Sequence, residues 1–321
     1  MILQNLFGLD NSLQVPSIPY MGNKRKLATR IINTIIDLKG NDFNHFYDLF
    51  GGGGSISISS LNLWDKTIHY NEINTAIYNL MKHIQGGGNI PYDWITREKF
   101  FEALKKDDWY SGMIQSCWSF GNNSAKGYLY GKDIEGLKYT AHLVCVEKDK
   151  EALKKLEDIS GFKIKLNLKK EPQQIRLQLK KVIECLGGEI LDIQHLERLN
   201  LIEHLRRLQH LQHLQRLQRL QRLQHLERLQ LTSLSYSDVK IKENSIIYCD
   251  PPYKGTEEYQ KGNFNHDEFY KWALNNEKPV FVSEYNMPDD FEIVASFHHK
   301  STLSATNNNK IVIENLYWNK Q

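Results

Sequence analysis

Asp250-Pro251-Pro252-Tyr253 sets a carboxylate, a stiff carbonyl-bearing turn and an aromatic ring at consecutive positions. The apolar run before it, Ser245-Ile246-Ile247-Tyr248-Cys249, reads as a buried strand. The tetrapeptide therefore falls at a strand tip, and open α/β sheets bind their ligands at strand C-terminal ends. A Pro-rich turn is the plain alternative. With Pro near 5% of residues, however, a chance match in a chain of this length is on the order of one in a thousand.

Three other segments carry chemistry beside it. In Asp48-Leu49-Phe50-Gly51-Gly52-Gly53-Gly54-Ser55 the glycines allow positive φ and a close approach of backbone to ligand. A nucleotide-like cofactor fits such a loop. The Lys-Ser/Thr ending of a P-loop is absent, so ATP phosphates are not its obvious cargo. Glu72 follows Gly54 by 18 residues, close to the spacing at which dinucleotide folds place an acid on the ribose hydroxyls. A helix-start acid favoured by the helix dipole is the simpler reading of Glu72. Pro19-Tyr20-Met21-Gly22-Asn23-Lys24 is a turn opening a basic helix, where Lys24 can hold a ligand carboxylate and Tyr20 can pack on it.

The elements that must position these residues follow from periodicity. Leu27, Ala28, Ile31, Ile32, Ile35 and Ile36 form a helical stripe within 24–38. Strands are expected at 46–50, 67–70, 245–249, 279–283 and 310–318, with helices at 74–85 and 266–274. The alternation points to a parallel sheet. Residues from 92 to about 185 break the pattern, as though one sheet were interrupted by an insertion. Nine leucines then recur at every third position from Leu205 to Leu229, with Gln, Arg and His between them. An α-helix turns about 100° per residue, so this spacing drifts by roughly 60° per repeat and makes no single apolar face. Leu, Gln and Arg all favour helix, so a long helix is expected there, read as a low-complexity insertion without chemistry of its own.

In this order the motifs resemble the Dam-type adenine-specific DNA methyltransferases: Pro-Tyr-x-Gly-Asn-Lys, then Asp-x-Phe-x-Gly-x-Gly-Ser, then Asp-Pro-Pro-Tyr. The likeness covers Pro19 to about Leu80 and Ile246 to Trp318, and the chain also has a phage- or prophage-like look. The resemblance implies a Rossmann-like, S-adenosylmethionine-dependent methyltransferase sheet with a large, mostly helical insertion containing the Leu-Gln-Arg repeat. It implies a catalytic domain of residues 1–91 and 235–321, a target-recognition region at 92–194 and a repeat segment at 195–234. Tyr20, Lys24, Asp48, Phe50, Gly52, Gly54, Ser55, Glu72 and Asp250 would contact S-adenosylmethionine. Four consecutive glycines stand where the family has a bulkier residue among them, and only Gly52 and Gly54 fall on its glycine positions.

The implied reaction is methylation of adenine N6 in double-stranded DNA, on a base flipped out of the helix. Tyr253 would stack on the base, a contact worth about 1–3 kcal/mol. The Asp250 carboxylate and the Pro251 carbonyl would accept the two amino hydrogens, with Pro252 stiffening the turn. Transfer then depends on positioning, and needs neither a metal nor a nucleophilic cysteine. Asn122, Asn123, Lys126 and Lys132 are the candidate DNA contacts, with Lys138 beside them, because Asn pairs with adenine edges and Lys with phosphate. Between His195 and Gln230 the repeat has seven arginines against three glutamates, which suits a DNA backbone or a second copy of the chain.

Composition excludes little: 321 residues, 40% apolar and 25% charged, leave room for a real core, and a net charge of +3 permits nucleic acid without demanding it. The four cysteines form no CxxC pair and give no zinc or disulfide pattern, which fits a cytoplasmic protein. No apolar run is long enough to span a bilayer, and the N-terminus lacks a secretory pattern. The alternatives are an N4-cytosine methyltransferase, against which Asp rather than Ser at 250 counts, and an inert DNA-binding scaffold. A restriction-modification role is a further expectation of the resemblance.

Overall fold

A computed structural model describes residues 17–122, 127–190, 211–223, 226–254, 264–300 and 311–321. Two compact units divide the chain. The first takes the described residues up to Gly88, Asp107–Gly112 and those from Arg222 onward; the second takes Asn89–Lys106 and Met113–Gln221.

A seven-stranded sheet organises the first unit. Its strands are β1 (His45–Asp48), β2 (Thr67–Asn71), β3 (Leu229–Thr232), β4 (Ser245–Cys249), β5 (Val280–Glu284), β6 (Glu292–Lys300) and β7 (Ile311–Trp318), in the order β3-β2-β1-β4-β5-β7-β6. The first five run parallel, and β7 is antiparallel to both β5 and β6. Every residue of β4 and β5 is buried, as continuous apolar runs in a sheet covered on both faces should be. Helix α1 (Ala28–Lys39) buries Ala28, Ile31, Ile32 and Ile35, the stripe seen in the spacing. Helix α2 (Ser55–Leu63) follows β1, and α3 (Thr75–Gln85) follows β2, capped by the Asn74 side chain. A further helix, acidic at its start (His266–Leu274), puts Phe269 and Tyr270 on a core with Tyr47, Ile247, Cys249 and Val282.

The second unit is helical: α4 (Arg97–Ala103), the end of α5 (Trp109–Trp118), α6 (Lys132–Val146), α7 (Lys150–Ser160), α8 (Pro172–Ile190) and α9 (Gln212–Gln221). The helix at 266–274 is therefore α10. The unit's core is aromatic. Trp94 meets the Trp118 ring edge-on at 4.9 Å, and the Trp118 ring stacks on His213 at 4.3 Å. His213 is fully buried on α9, its Nδ1 2.7 Å from the Tyr130 hydroxyl and its Nε2 3.0 Å from His142 Nδ1. Burial holds His213 well below the usual imidazole range and His142 down to about 4, so both rings are neutral. A neutral His213 uses one nitrogen as donor and the other as acceptor, which satisfies both neighbours. One turn on, Arg216 donates to the Cys117 and Ser119 carbonyls at 3.1 and 2.8 Å, at the C-terminal end of α5.

These contacts give the repeat a role its composition hid. The expected long helix is, among the described residues, a ten-residue helix, a break, and then a strand: Leu229–Thr232, placed by the sequence in the repeat, is β3 at the sheet edge. Within so short a helix the roughly 60° drift per leucine spreads Leu211, Leu214, Leu217 and Leu220 over half the circumference, and all four are buried. Residues 195–210 lie outside the described residues. Replacing His213 by Ala should destabilise the protein by about 3 kcal/mol, since it opens a cavity and strands Tyr130 and His142. Urea unfolding followed by tryptophan fluorescence would read this; a loss under about 1 kcal/mol would show that the network is not structural.

Candidate active site

The direction of the strand order changes between β1 and β4, and the crevice there is the usual ligand site of an open α/β sheet. Four of the sequence segments end at it. The turn after β1 is built by all four glycines. Gly52 and Gly54 have φ of +48° and +75°, the region that favours glycine. The other two are required by contact: a Cβ at Gly51 would overlap the Tyr70 ring, and one at Gly53 would overlap the Ile18 carbonyl oxygen. That explains the run of four where two were expected. The turn is pinned from below by Gly51 N–H to the Asn71 carbonyl (2.8 Å), and by the Tyr70 hydroxyl to the Gly52 carbonyl (2.8 Å). Tyr20 lies over it, with its Cδ1 3.1 Å from where a Gly52 Cβ would stand.

Glu72, at the tip of β2, is buried and accepts the Gly52 and Asn74 N–H groups at 2.7 and 2.8 Å. Burial, only partly offset by these two bonds, pushes its carboxyl up to about 7. Asn71 ties three strand ends together. It donates to the Leu49 and Leu234 carbonyls and accepts from the Thr232 hydroxyl and the Leu234 N–H, all within 3.1 Å. Asp48 and Ser55 are placed differently from the rest of the set. The Asp48 carboxylate accepts the Ser57 N–H and hydroxyl at 3.2 and 2.6 Å, capping α2, and burial raises it to about 7. Ser55 is buried at the first position of that helix. Phe50 stacks on Tyr236 at 5.6 Å and meets Phe264 and Phe269 edge-on, forming an aromatic wall beside the turn.

Asp250 follows β4 directly, and Lys24 reaches it: Nζ is 2.9 Å from Asp250 Oδ1 and 3.5 Å from Glu314 Oε1 on β7. These side chains are 7%, 18% and 4% exposed, so the charges act on one another with little screening. Burial raises the Asp250 carboxyl to about 6, Lys24 pulls it down and Glu314 pushes it up again. Lys24 Nζ also lies 4.8 Å from the centroid of the Tyr253 ring, which Tyr285 meets edge-on at 4.7 Å. Glu284, fully buried at the end of β5, accepts the Lys254 N–H at 3.2 Å and the Tyr285 N–H at 2.7 Å, fixing the residue after the tetrapeptide. Burial raises Glu284 to about 7.

Glu284, Tyr285 and Glu314 are the site residues that sequence reasoning missed. The signal was there: Glu284-Tyr285 ends an apolar strand as Asp250 does, and Glu314 is an acid inside the apolar run 311–316. Of the DNA candidates Asn122, Asn123, Lys126 and Lys132 of the second unit, only Lys132 has a described side chain. Asn123 and Lys126 lie outside the described residues, as does the Asn122 side chain, and Lys132 is exposed at the start of α6. Lys138 is buried, its ammonium 5.5 Å from the Tyr130 ring centroid, so it is a core residue and not a phosphate contact. Cys249 is buried within β4, where desolvation raises its thiol far above the usual range, as suits a packing residue. All four cysteines are free, and no group of metal-ligating side chains occurs among the described residues. No described helix is long and apolar enough to cross a membrane.

A 3-2-1-4-5-7-6 sheet with a glycine turn after β1, an acid at the β2 tip and a catalytic-type turn after β4 defines a Rossmann-like methyltransferase. Residues 20–311 match the D12 class N6 adenine-specific DNA methyltransferases, and the chain belongs to that family. No curated protein matches it. The family methylates adenine N6 in DNA and takes its methyl group from S-adenosylmethionine. The residues present fit that cofactor: Glu72 is a buried acid at the β2 tip able to accept hydroxyl hydrogens, and the turn beside it has no room for side chains at Gly51 and Gly53.

Proposed function

We propose that Asp250, Pro251, Pro252 and Tyr253 carry out the transfer on an adenine flipped out of double-stranded DNA. The observation that carries this is the Lys24–Asp250 ion pair of 2.9 Å, which joins the turn before α1 to the tetrapeptide beside the glycine turn. The Asp250 carboxylate and the Pro251 carbonyl accept the two amino hydrogens, which turns the N6 lone pair towards the incoming methyl. Tyr253 stacks on the base, and its ring is kept in place by Tyr285 and Lys24. Bound S-adenosylmethionine supplies an electrophilic methyl group. Glu72 would receive its ribose hydroxyls, Gly52, Gly54, Phe50 and Tyr20 would line its site, and Lys24 would draw its carboxylate. Asp48 acts one step back, by holding α2 behind the turn through Ser57, and Ser55 opens that helix.

Target recognition falls to the second unit, with Lys132 and the 122–126 segment touching DNA. The leucines of α9 are occupied inside that unit, so self-association through them loses its apolar face; its Gln and Arg positions remain for a polar contact. Incubating the protein with methyl-labelled S-adenosylmethionine and duplex DNA, then digesting to nucleosides, tests the reading. Label in N6-methyladenine, and more with duplex than with single strands, is expected. Label in N4-methylcytosine, or a preference for single strands, would overturn it.

A further inference from the structure

One ammonium and three carboxylates meet at the strand tips around Asp250. Lys24 comes from the turn before α1, Asp250 from β4, Glu284 from β5 and Glu314 from β7. The other titratable groups facing Asp250 are Tyr253 on its own turn, Tyr248 and Cys249 on β4, Tyr285 after β5 and Asp48 on β1. The two additional acids are used differently. Glu284 accepts two backbone N–H groups, and so holds the turn. Glu314 is the one in ionic contact with Lys24, at 3.5 Å against 2.9 Å for Asp250. Neither Asp250 Oδ1 nor Glu314 Oε1 has a hydrogen-bond partner among the described residues, so the two carboxylates compete for Lys24 through charge.

A buried ammonium paired with a single carboxylate would claim that carboxylate's lone pairs. A second carboxylate on the same ammonium divides its attraction. We propose that Glu314 is a positioning residue for methyl transfer: by sharing the Lys24 ammonium it loosens that cation's hold on Asp250 and leaves the Asp250 carboxylate able to accept the substrate's amino hydrogens. This rests on the reading that Asp250 receives the amino group. The net negative charge that Glu314 adds also opposes ionisation of Asp250, in line with the raised Asp250 carboxyl.

The test is Glu314→Gln, which keeps shape and removes charge, with Glu314→Asp beside it. Two readouts are needed. The first is the titration midpoint of the Asp250 side-chain carboxyl carbon by 13C NMR, which needs no turnover. The second is the pH profile of single-turnover methyl transfer to duplex DNA. With Gln the midpoint should fall by about 0.5 pH unit or more, and the acid limb of the profile should move with it. The rate at pH 5.5, relative to its own plateau, then rises about twofold, while the plateau itself drops about fivefold as Lys24 closes on Asp250. Glu314→Asp should shift the midpoint in the same direction by less than half as much. An unmoved midpoint in Gln, or equal shifts in Gln and Asp, would overturn the proposal. Should the Gln variant fail to fold, an unmoved midpoint in Asp overturns it alone. If the wild-type protein transfers no methyl group at any pH, the reading of Asp250 fails instead, and the NMR midpoints still decide whether Glu314 governs it.

Discussion

Asp250→Ala is expected to lower single-turnover methyl transfer by about a thousandfold, or roughly 4 kcal/mol in the barrier. An exocyclic amino group conjugated to the purine ring is a poor nucleophile until its hydrogens are held and its lone pair released. The residue that does this through charge should therefore cost far more in rate than in binding. Asp250→Asn keeps one carbonyl acceptor and the shape but loses the charge, so a drop of about a hundredfold is expected. Neither variant should unfold the protein, because Lys24 keeps Glu314 as a counter-ion at 3.5 Å. The measurement is transfer of labelled methyl to an excess of duplex DNA, with cofactor affinity determined separately by calorimetry. A rate within tenfold of wild type for Asp250→Ala would remove Asp250 from the chemistry. A parallel collapse of cofactor affinity would assign it to binding alone.

The sheet was legible where the chain repeats a simple physical pattern. Continuous apolar runs marked β4 and β5, a 3.6-residue stripe marked α1, and the turn chemistry between them placed Asp250, Glu72 and the glycine turn at strand tips. Three elements of the first unit were not legible, each for its own reason. β3 is four residues of a leucine repeat whose neighbours are helical; only its pairing with β2, Glu72 N–H to the Thr232 carbonyl included, makes it a strand. β6 reads as a mixed segment because its outward residues, such as Ile293, are themselves apolar and exposed. α2 carries serines on its buried face, with Ser57, Ser59 and Ser60 all inside, so no apolar stripe announces it. The site was half legible for the same reason. Residues that act through a motif can be seen in a sequence, whereas Glu284 and Glu314 matter because a parallel β5 and an antiparallel β7 bring their side chains to the Lys24–Asp250 pair.

Removing the carboxylate at the β2 tip should have the second large effect, on binding rather than on rate. Glu72→Ala would delete the proposed acceptor for two ribose hydroxyls, each charge-assisted bond being worth about 1.5–3 kcal/mol, so S-adenosylmethionine affinity should fall about a hundredfold or more. It also releases the Gly52 N–H, so the glycine turn loosens. Glu72→Gln separates the two causes: the amide oxygen keeps one acceptor, and a loss of about tenfold is expected. Wild-type binding should itself depend on pH, because burial lifts this carboxyl from 4.5 to about 7. The cofactor's hydroxyls need the ionised form, so affinity should weaken as pH falls from 8 towards 6, and should be flat over that range in Glu72→Gln. Stability of the cofactor-free protein moves the other way. A carboxyl whose folded value lies above its unfolded one binds its proton more tightly when folded, so its contribution is complete below about 4.5 and is lost as pH rises through about 7. Asp48, also raised to about 7, adds to the same trend. His69 and His142, both lowered to about 4, oppose it only below about 6.5, where the unfolded chain begins to protonate. The melting temperature of the cofactor-free protein should therefore rise by a few degrees between pH 8 and pH 6.5 while cofactor affinity declines. Calorimetry and thermal melts across that window would show the two curves crossing. An affinity that stayed constant from pH 8 to pH 6 would mean that Glu72 is not the ribose acceptor.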